Sequence, residues 1–244
     1  MRASAHCLKS IKALTRVGIA PCYTSFLFHF TEANGSLTTA DSGPGVIMPG
    51  TLSFPGVTAG GGIDSSVQFL GQNSWKGQYE ARIAIDWPIL SPNVGSTGVN
   101  PWTFDFRIRS TSFASQQVVI DTNSNGTNTT GWAIYIDTDA KMKLYAGAQG
   151  VGYGGFGSAM STNTSYAMRV VWDGTTLHFY RDGVKLGTNT GFTNVWGNLI
   201  WLANSADASQ HVRGNLGEIR FTKTAVTTAS SYTVATSPFT ACQA

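Results

Sequence analysis

Charged side chains are scarce in this sequence: they make up 12% of the 244 residues, and the formal net charge is only +3. A protein that binds nucleic acid gathers basic residues into a patch with aromatic platforms. Here the basic residues are densest in the first sixteen positions and elsewhere alternate with strand residues. We therefore expect no nucleic-acid partner. The chain also lacks an apolar run near the roughly 20 residues that span a bilayer, and we expect no membrane partner.

Carboxylates suited to catalysis are also rare. The three glutamates each stand alone in a strand or loop: Glu32, Glu80 and Glu218. Hydrolysis of a glycoside with retention needs two carboxyl groups about 5 Å apart. Asp137 and Asp139 are two residues apart, but they lie at a hairpin end, where aspartate is a turn former. No G-x-S-x-G motif accompanies the four histidines. The sequence predicts that the protein is not an enzyme.

Cysteine is limited to three positions near the termini, Cys7, Cys22 and Cys242. None forms a C-x-x-C pair, and an odd count at long spacings does not make a disulfide framework. Free thiols in a reducing compartment are one interpretation. A Cys7–Cys22 bridge, or cross-links between subunits, is the other.

The N-terminal stretch combines basic residues with regularly spaced apolar ones. Its apolar segment is interrupted by Lys9, Lys12 and Arg16, so it has no signal-peptide core. Four apolar residues recur at three-residue spacing and predict a short amphipathic helix: Leu8, Ile11, Leu14 and Val17. We interpret residues 1–25 as a docking arm. A transit peptide is the competing interpretation.

What the sequence has in abundance are short alternating runs between turn formers. Residues 102–109 (WTFDFRIR) alternate throughout, with Trp102, Phe104, Phe106 and Ile108 predicted to face inward. Residues 131–137 and 141–146 predict a hairpin. Asp-Gly pairs at 173–174 and 182–183 predict two further hairpins, because a type I′ turn needs positive φ at both central residues. Many short strands of this kind indicate an all-β, two-sheet antiparallel sandwich or jelly roll over residues 26–244.

Several of these segments resemble a known family. The order W-D-G, L-H-F-Y-R-D-G-V and G-N-L-G-E-I-R-F-T-K over residues 172–223 is similar to laminin-G-like, concanavalin A-like jelly rolls. Gly217 stands where that family usually has Asp, and Arg107 stands where the pattern f-T-i-e-f-W-v-r has Trp. The opening FLFHFTEANGSLTTADSG (26–43) resembles the version found in tailed-phage proteins.

The resemblance implies a function as well as a fold. We expect a non-catalytic structural or adhesive protein of a tailed-phage virion, either a head decoration or a tail or fibre component, made in the host cytoplasm. Its expected partners are other virion proteins, further copies of itself and host-surface glycans. A free carbohydrate-binding lectin, with calcium assisting, is the alternative. A degraded glucanase-like enzyme is a third.

Two sets of residues are candidates for binding. Aromatic side chains in predicted loops, amid Asn and Gly, would form the glycan surface: Trp75, Tyr153, Phe156 and Trp196. The stretch from Asp121 to Gly126 matches the first half of an EF-hand loop, but its twelfth position is Trp132 instead of Glu, so the EF-hand interpretation fails. We expect no cofactor; if calcium binds at the loop rim, Asp121, Asn123 and Asn125 are the predicted ligands.

Overall fold

The computed structural model of the chain describes residues 24–29, 31, 38–39, 52–53, 62–77, 83–86, 101–122, 131–193, 199–203, 205 and 210–240. Its strands, in chain order, are β1 (Thr24–Phe28), β2 (Thr38–Thr39), β3 (Leu52–Ser53), β4 (Gly62–Phe69), β5 (Gln72–Gly77), β6 (Ile83–Asp86), β7 (Trp102–Ser110), β8 (Gln117–Asp121), β9 (Trp132–Ile136), β10 (Met142–Ala146), β11 (Val151–Gly154), β12 (Tyr166–Trp172), β13 (Thr176–Arg181), β14 (Val184–Thr190), β15 (Leu199–Leu202) and β16 (Gly214–Thr222). A single 3-10 turn, Gly147–Gln149, is the only helical element among these residues. No helix in the described part of the chain has the length and apolar character that crossing a membrane requires.

The strands form two main antiparallel sheets. The larger sheet has eight strands in the order β14-β13-β12-β7-β16-β5-β4, with β1 also pairing with β16. The smaller sheet has six, in the order β11-β10-β9-β8-β15-β6, and β2 and β3 form a separate two-stranded ribbon. The predicted all-β, two-sheet antiparallel fold is confirmed.

The core lies between the inner faces of the two sheets. The inward set predicted for β7 is confirmed, since Trp102, Phe104, Phe106 and Ile108 are at most 1% exposed. Trp102 stacks across the interior on Trp132 of the smaller sheet, with ring centroids 4.8 Å apart. Such alternation buries one face of each strand, and the aromatic pairs hold the two sheets together.

The two Asp-Gly turns differ from each other. Asp182 and Gly183 have φ of 49° and 81°, which confirms positive φ at both central positions of the β13–β14 turn. At the β12–β13 turn only Gly174 has positive φ. There the Asp173 carboxylate instead accepts hydrogen bonds from the backbone N–H groups of Thr175 and Thr176. A side-chain-to-backbone turn has replaced the expected type I′ geometry.

The predicted docking arm falls largely outside the described residues, which begin at Thr24. This applies to all four of its apolar residues: Leu8, Ile11, Leu14 and Val17. It also applies to the three cysteines, Cys7, Cys22 and Cys242. The amphipathic helix, the docking role and the pairing of the cysteines stay predictions.

Candidate functional site

A C-terminal strap, residues 223–240, crosses the outer face of the larger sheet. It leaves β16 beside Thr103, whose hydroxyl donates to the carbonyl of Thr224. It reaches the far edge of the sheet at Ser231, which forms an isolated bridge with Val184. It then returns, and the backbone N–H of Phe239 donates to Glu218 at 2.8 Å. The strap therefore covers polar residues of β7, β12 and β13 that sequence alternation alone would leave in water.

The strand register places a buried charged triad beneath the strap. Arg220 of β16 pairs with Asp105 of β7, and Asp105 pairs with Arg169 of β12. The Asp105 carboxylate accepts from Arg169 Nε at 2.5 Å through one oxygen and from Arg220 at 2.8 Å through the other. Asp105 is 1% exposed, and the side chains of Arg169 and Arg220 are 9% and 13% exposed. Each carboxylate oxygen thus accepts a charge-assisted hydrogen bond from a different guanidinium.

Two aromatic rings of the strap lie on these arginines. The guanidinium carbon of Arg169 lies 3.7 Å from the ring centre of Tyr232, and that of Arg220 lies 4.4 Å from Phe239. Burial raises the pKa of Tyr232 to about 12, although the positive charge of Arg169 acts in the opposite direction. Cation–π contacts of this kind are stronger when they are shielded from water. They fix the strap to the charged triad.

Between strap and sheet is a cavity of about 220 Å³, which we call the arginine cavity. The charged residues of its lining are Asp105, Arg107, Arg169 and Arg220. Arg107 donates through one terminal nitrogen to the carbonyl of Ala235 at 2.6 Å. Its Nε is buried and has no hydrogen-bond partner among the described residues. The cavity thus contains a guanidinium that lacks a carboxylate partner in its lining.

One end of the strap is held at a bulge in β16. Glu218 is fully buried and has φ of 47°, in the left-handed region that non-glycine residues seldom occupy. One carboxylate oxygen lies 2.8 Å from Nδ1 of His29, just after β1, and the other accepts from Phe239 of the strap. Glu218 therefore connects the first strand, the last strand and the strap.

Of the four predicted glycan-binding aromatics, the three that the structure describes do not form one open surface. The placement of Trp75 in a loop was wrong: it lies in β5 and is 0% exposed, so its ring has no free face for a sugar. Tyr153 was also predicted in a loop but lies in β11, is 9% exposed and donates its hydroxyl to the carbonyl of Gly191. Phe156 is half-buried and packs on Phe179, with ring centroids 5.8 Å apart. Trp196 lies outside the described residues.

The predicted calcium ligands are described only in part. Asp121 ends β8 and is 4% exposed, while Asn123 and Asn125 lie outside the described residues. Within the described ranges, no group of three or more His, Cys, Asp or Glu side chains gathers as a metal site would require. Calcium binding at this rim stays a prediction.

Sequence reasoning missed the arginine cavity, although one signal pointed to it. The resemblance led us to expect Trp where Arg107 stands, and a basic residue replacing an aromatic one in a strand indicates an altered outer face. The alternation that directs Trp102 and Phe104 inward leaves Asp105 and the other triad residues on the outward faces of their strands. Their burial depends on the strap, which no local periodicity reveals.

The comparisons with known proteins agree with this architecture. Residues 87–230 match the family model of the concanavalin A-like lectin/glucanases superfamily. The chain is similar to domain 4 of AbnA, a GH43 extracellular arabinanase from Geobacillus stearothermophilus solved in complex with arabinotriose, with a TM-score of 0.57, 15% identity, and 85% of this chain and 96% of that chain covered. It is also similar to the receptor binding domain of botulinum neurotoxin D, with a TM-score of 0.55, 11% identity, and 84% and 50% covered. The chain matches no curated protein sequence.

Proposed function

The chain belongs to the concanavalin A-like lectin/glucanase superfamily, and from this membership we propose that it is a non-catalytic protein that recognises carbohydrate. The observation that carries the proposal is the arginine cavity, a concave site with a few convergent polar groups. The similar arabinanase domain was solved in complex with arabinotriose, which supports a carbohydrate ligand. Fold alone does not determine function, so the cavity supports the proposal and a binding measurement must decide it.

The electrostatics of the described carboxylates support the absence of catalysis. A glycosidase keeps one carboxyl group protonated by raising its pKa. Here the hydrogen bond from Lys143 lowers the pKa of Asp137, although burial acts against it. Lys143 also lies 3.1 Å from Asp139, so both carboxylates of this pair share one ammonium group. Glu218 and Asp105 are committed to the strap and to the arginines.

Hydrolysis assays test this part of the proposal. We expect no release of reducing sugar from polysaccharides that the protein binds. If reducing sugar were released by the wild type but not by Glu80→Gln or Glu218→Gln, the protein would be an enzyme instead. Because Glu218 also holds the strap, the unfolding temperature of that variant must be measured in parallel. Loss of activity in a variant that unfolds at the wild-type temperature would identify a catalytic carboxylate.

We further propose that the protein is a component of a tailed-phage virion, where the carbohydrate site contacts the host surface or neighbouring subunits. The support is the sequence resemblance of residues 26–43 to phage modules and the amphipathic pattern of residues 1–25. In this role the arm fixes the protein to the particle and the sandwich carries the recognition site.

The virion role has a direct test in mass spectrometry of purified particles. A copy number near that of the major capsid protein is expected for a head decoration, and a small multiple of three or six for a tail or fibre adhesin. Deleting residues 1–25 should abolish incorporation and leave sugar affinity unchanged. Absence of the full-length protein from particles would contradict the virion role and favour a free lectin.

A further inference from the structure

We propose that the arginine cavity binds the carboxylate group of an acidic sugar, an inference that rests on the carbohydrate-binding function proposed above. The cavity is bounded by β7, β12 and β16 on one side and by the strap, from Tyr232 to Thr240, on the other. Its charge, its unused hydrogen-bond donor and its size each favour a small anionic group.

The charge of the lining is positive. Arg107, Arg169 and Arg220 face a single acidic residue, Asp105, which leaves a formal charge of +2. Both oxygens of Asp105 are already engaged by Arg169 and Arg220. Arg107 therefore has no carboxylate partner within the lining. An anionic ligand would supply one in a site that is partly shielded from water, where charge-assisted hydrogen bonds are strong.

The unused hydrogen-bonding capacity of Arg107 favours an anion with oxygen acceptors. The buried Nε of Arg107 lacks an acceptor among the described residues, and buried donors are seldom left without one. One terminal nitrogen of the same guanidinium is used by the carbonyl of Ala235. The planar guanidinium presents its donors as a fork that fits the two oxygens of a carboxylate. Arg107 lines the cavity and is the one of its three arginines with a buried donor that lacks an acceptor among the described residues, so we assign it to the ligand anion.

The size of the cavity limits the ligand. Sites for drug-sized molecules enclose about 300–1,000 Å³, whereas this cavity encloses about 220 Å³. It accommodates a single sugar unit instead of an oligosaccharide. Thr233 and Ser237 of the strap are part of the lining and are exposed to solvent, so the remainder of a glycan would extend past them.

Calorimetric titration of the full chain with small sugars tests the inference. We expect D-glucuronate to bind, D-glucose to bind at least tenfold more weakly, and added salt to weaken glucuronate binding. Arg107→Gln should lower the glucuronate affinity at least tenfold. Arg109→Gln is the matched control, because Arg109 is two residues along the same strand, donates to the carbonyl of Asn163 and does not line the cavity. It should leave the affinity unchanged.

A second variant keeps the test decisive if Arg107→Gln does not fold. Ala167→Met would fill the cavity from β12 without removing a charge, because Ala167 lines it. It should also abolish glucuronate binding. The inference would be overturned if the protein bound glucuronate and glucose equally, or if it bound glucose 6-sulfate more tightly than glucuronate. Full glucuronate affinity in a folded Arg107→Gln or Ala167→Met protein would also overturn it. If wild type and variants bound neutral glycans equally, this site would be refuted, but the proposed carbohydrate function would stand.

Discussion

Asp105 is the one acidic residue that lines the arginine cavity, and Asp105→Asn should be strongly destabilising. The substitution keeps the shape of the side chain but leaves Arg169 and Arg220 buried without a counter-charge. Breaking a buried ion pair by removing one partner costs roughly 3–5 kcal/mol. Because a typical domain has only about 5–15 kcal/mol of stability, the expected loss is a large fraction of the total.

The assay for Asp105→Asn is urea unfolding followed by tryptophan fluorescence, supported by thermal unfolding. For a chain of this length each kcal/mol shifts the midpoint by about 2–4 °C, so we expect a decrease of roughly 6–20 °C. The control is Asp139→Asn, whose side chain is 44% exposed and pairs with Lys143. Exposed pairs contribute about 0–1 kcal/mol. A loss in Asp105→Asn no larger than in the control would refute the argument that the triad stabilises the strap.

Two further substitutions test local features of the larger sheet. Burial alone would raise the pKa of Asp173, but hydrogen bonds from His178 and the turn outweigh it and lower the pKa from 3.8 to about 2. The stability that Asp173 gives relative to Asp173→Asn should be complete above about pH 5 and be lost progressively as the pH falls through about 2; a pH-independent difference in urea unfolding would contradict this. In Gly187→Ala the new Cβ would lie 2.5 Å from the Phe156 ring, so we expect a loss of about 1–3 kcal/mol. The loss should be much smaller in a Phe156→Ala background; an equal loss there would contradict the proposed clash.

The sequence predicted the sandwich because its signals are local. The alternation in β7 and the Asp-Gly pair at 182–183 follow from side-chain direction and turn geometry within a few residues. β5 was missed since Trp75 is the only large apolar residue in QNSWKG, and polar neighbours made the segment look like a loop. The burial of Trp75 depends on the pairing of β5 with its hairpin partner β4 and with β16, which is distant in sequence.

The cavity could not be predicted for a related reason. The partners of Arg107 and Asp105 on the strap and on β16 are 115 to 128 residues away in sequence. The strap itself has no alternating pattern, because it crosses the strands and contacts them through backbone carbonyls and two aromatic rings. The alternation within β7 therefore does not predict that its outward face is covered. Only the unexpected Arg107 in β7 marked this face as unusual.

The most direct test of the account is a glycan microarray probed with the full chain, followed by analysis of the bound glycans after prolonged incubation. The account predicts retention of a limited group of glycans that carry a terminal carboxylate sugar. Those glycans should remain intact, and Arg107→Gln should reduce their signals while Arg109→Gln should not. Binding to no glycan, or cleavage of the glycans that bind, would contradict the central claim of non-catalytic carbohydrate recognition.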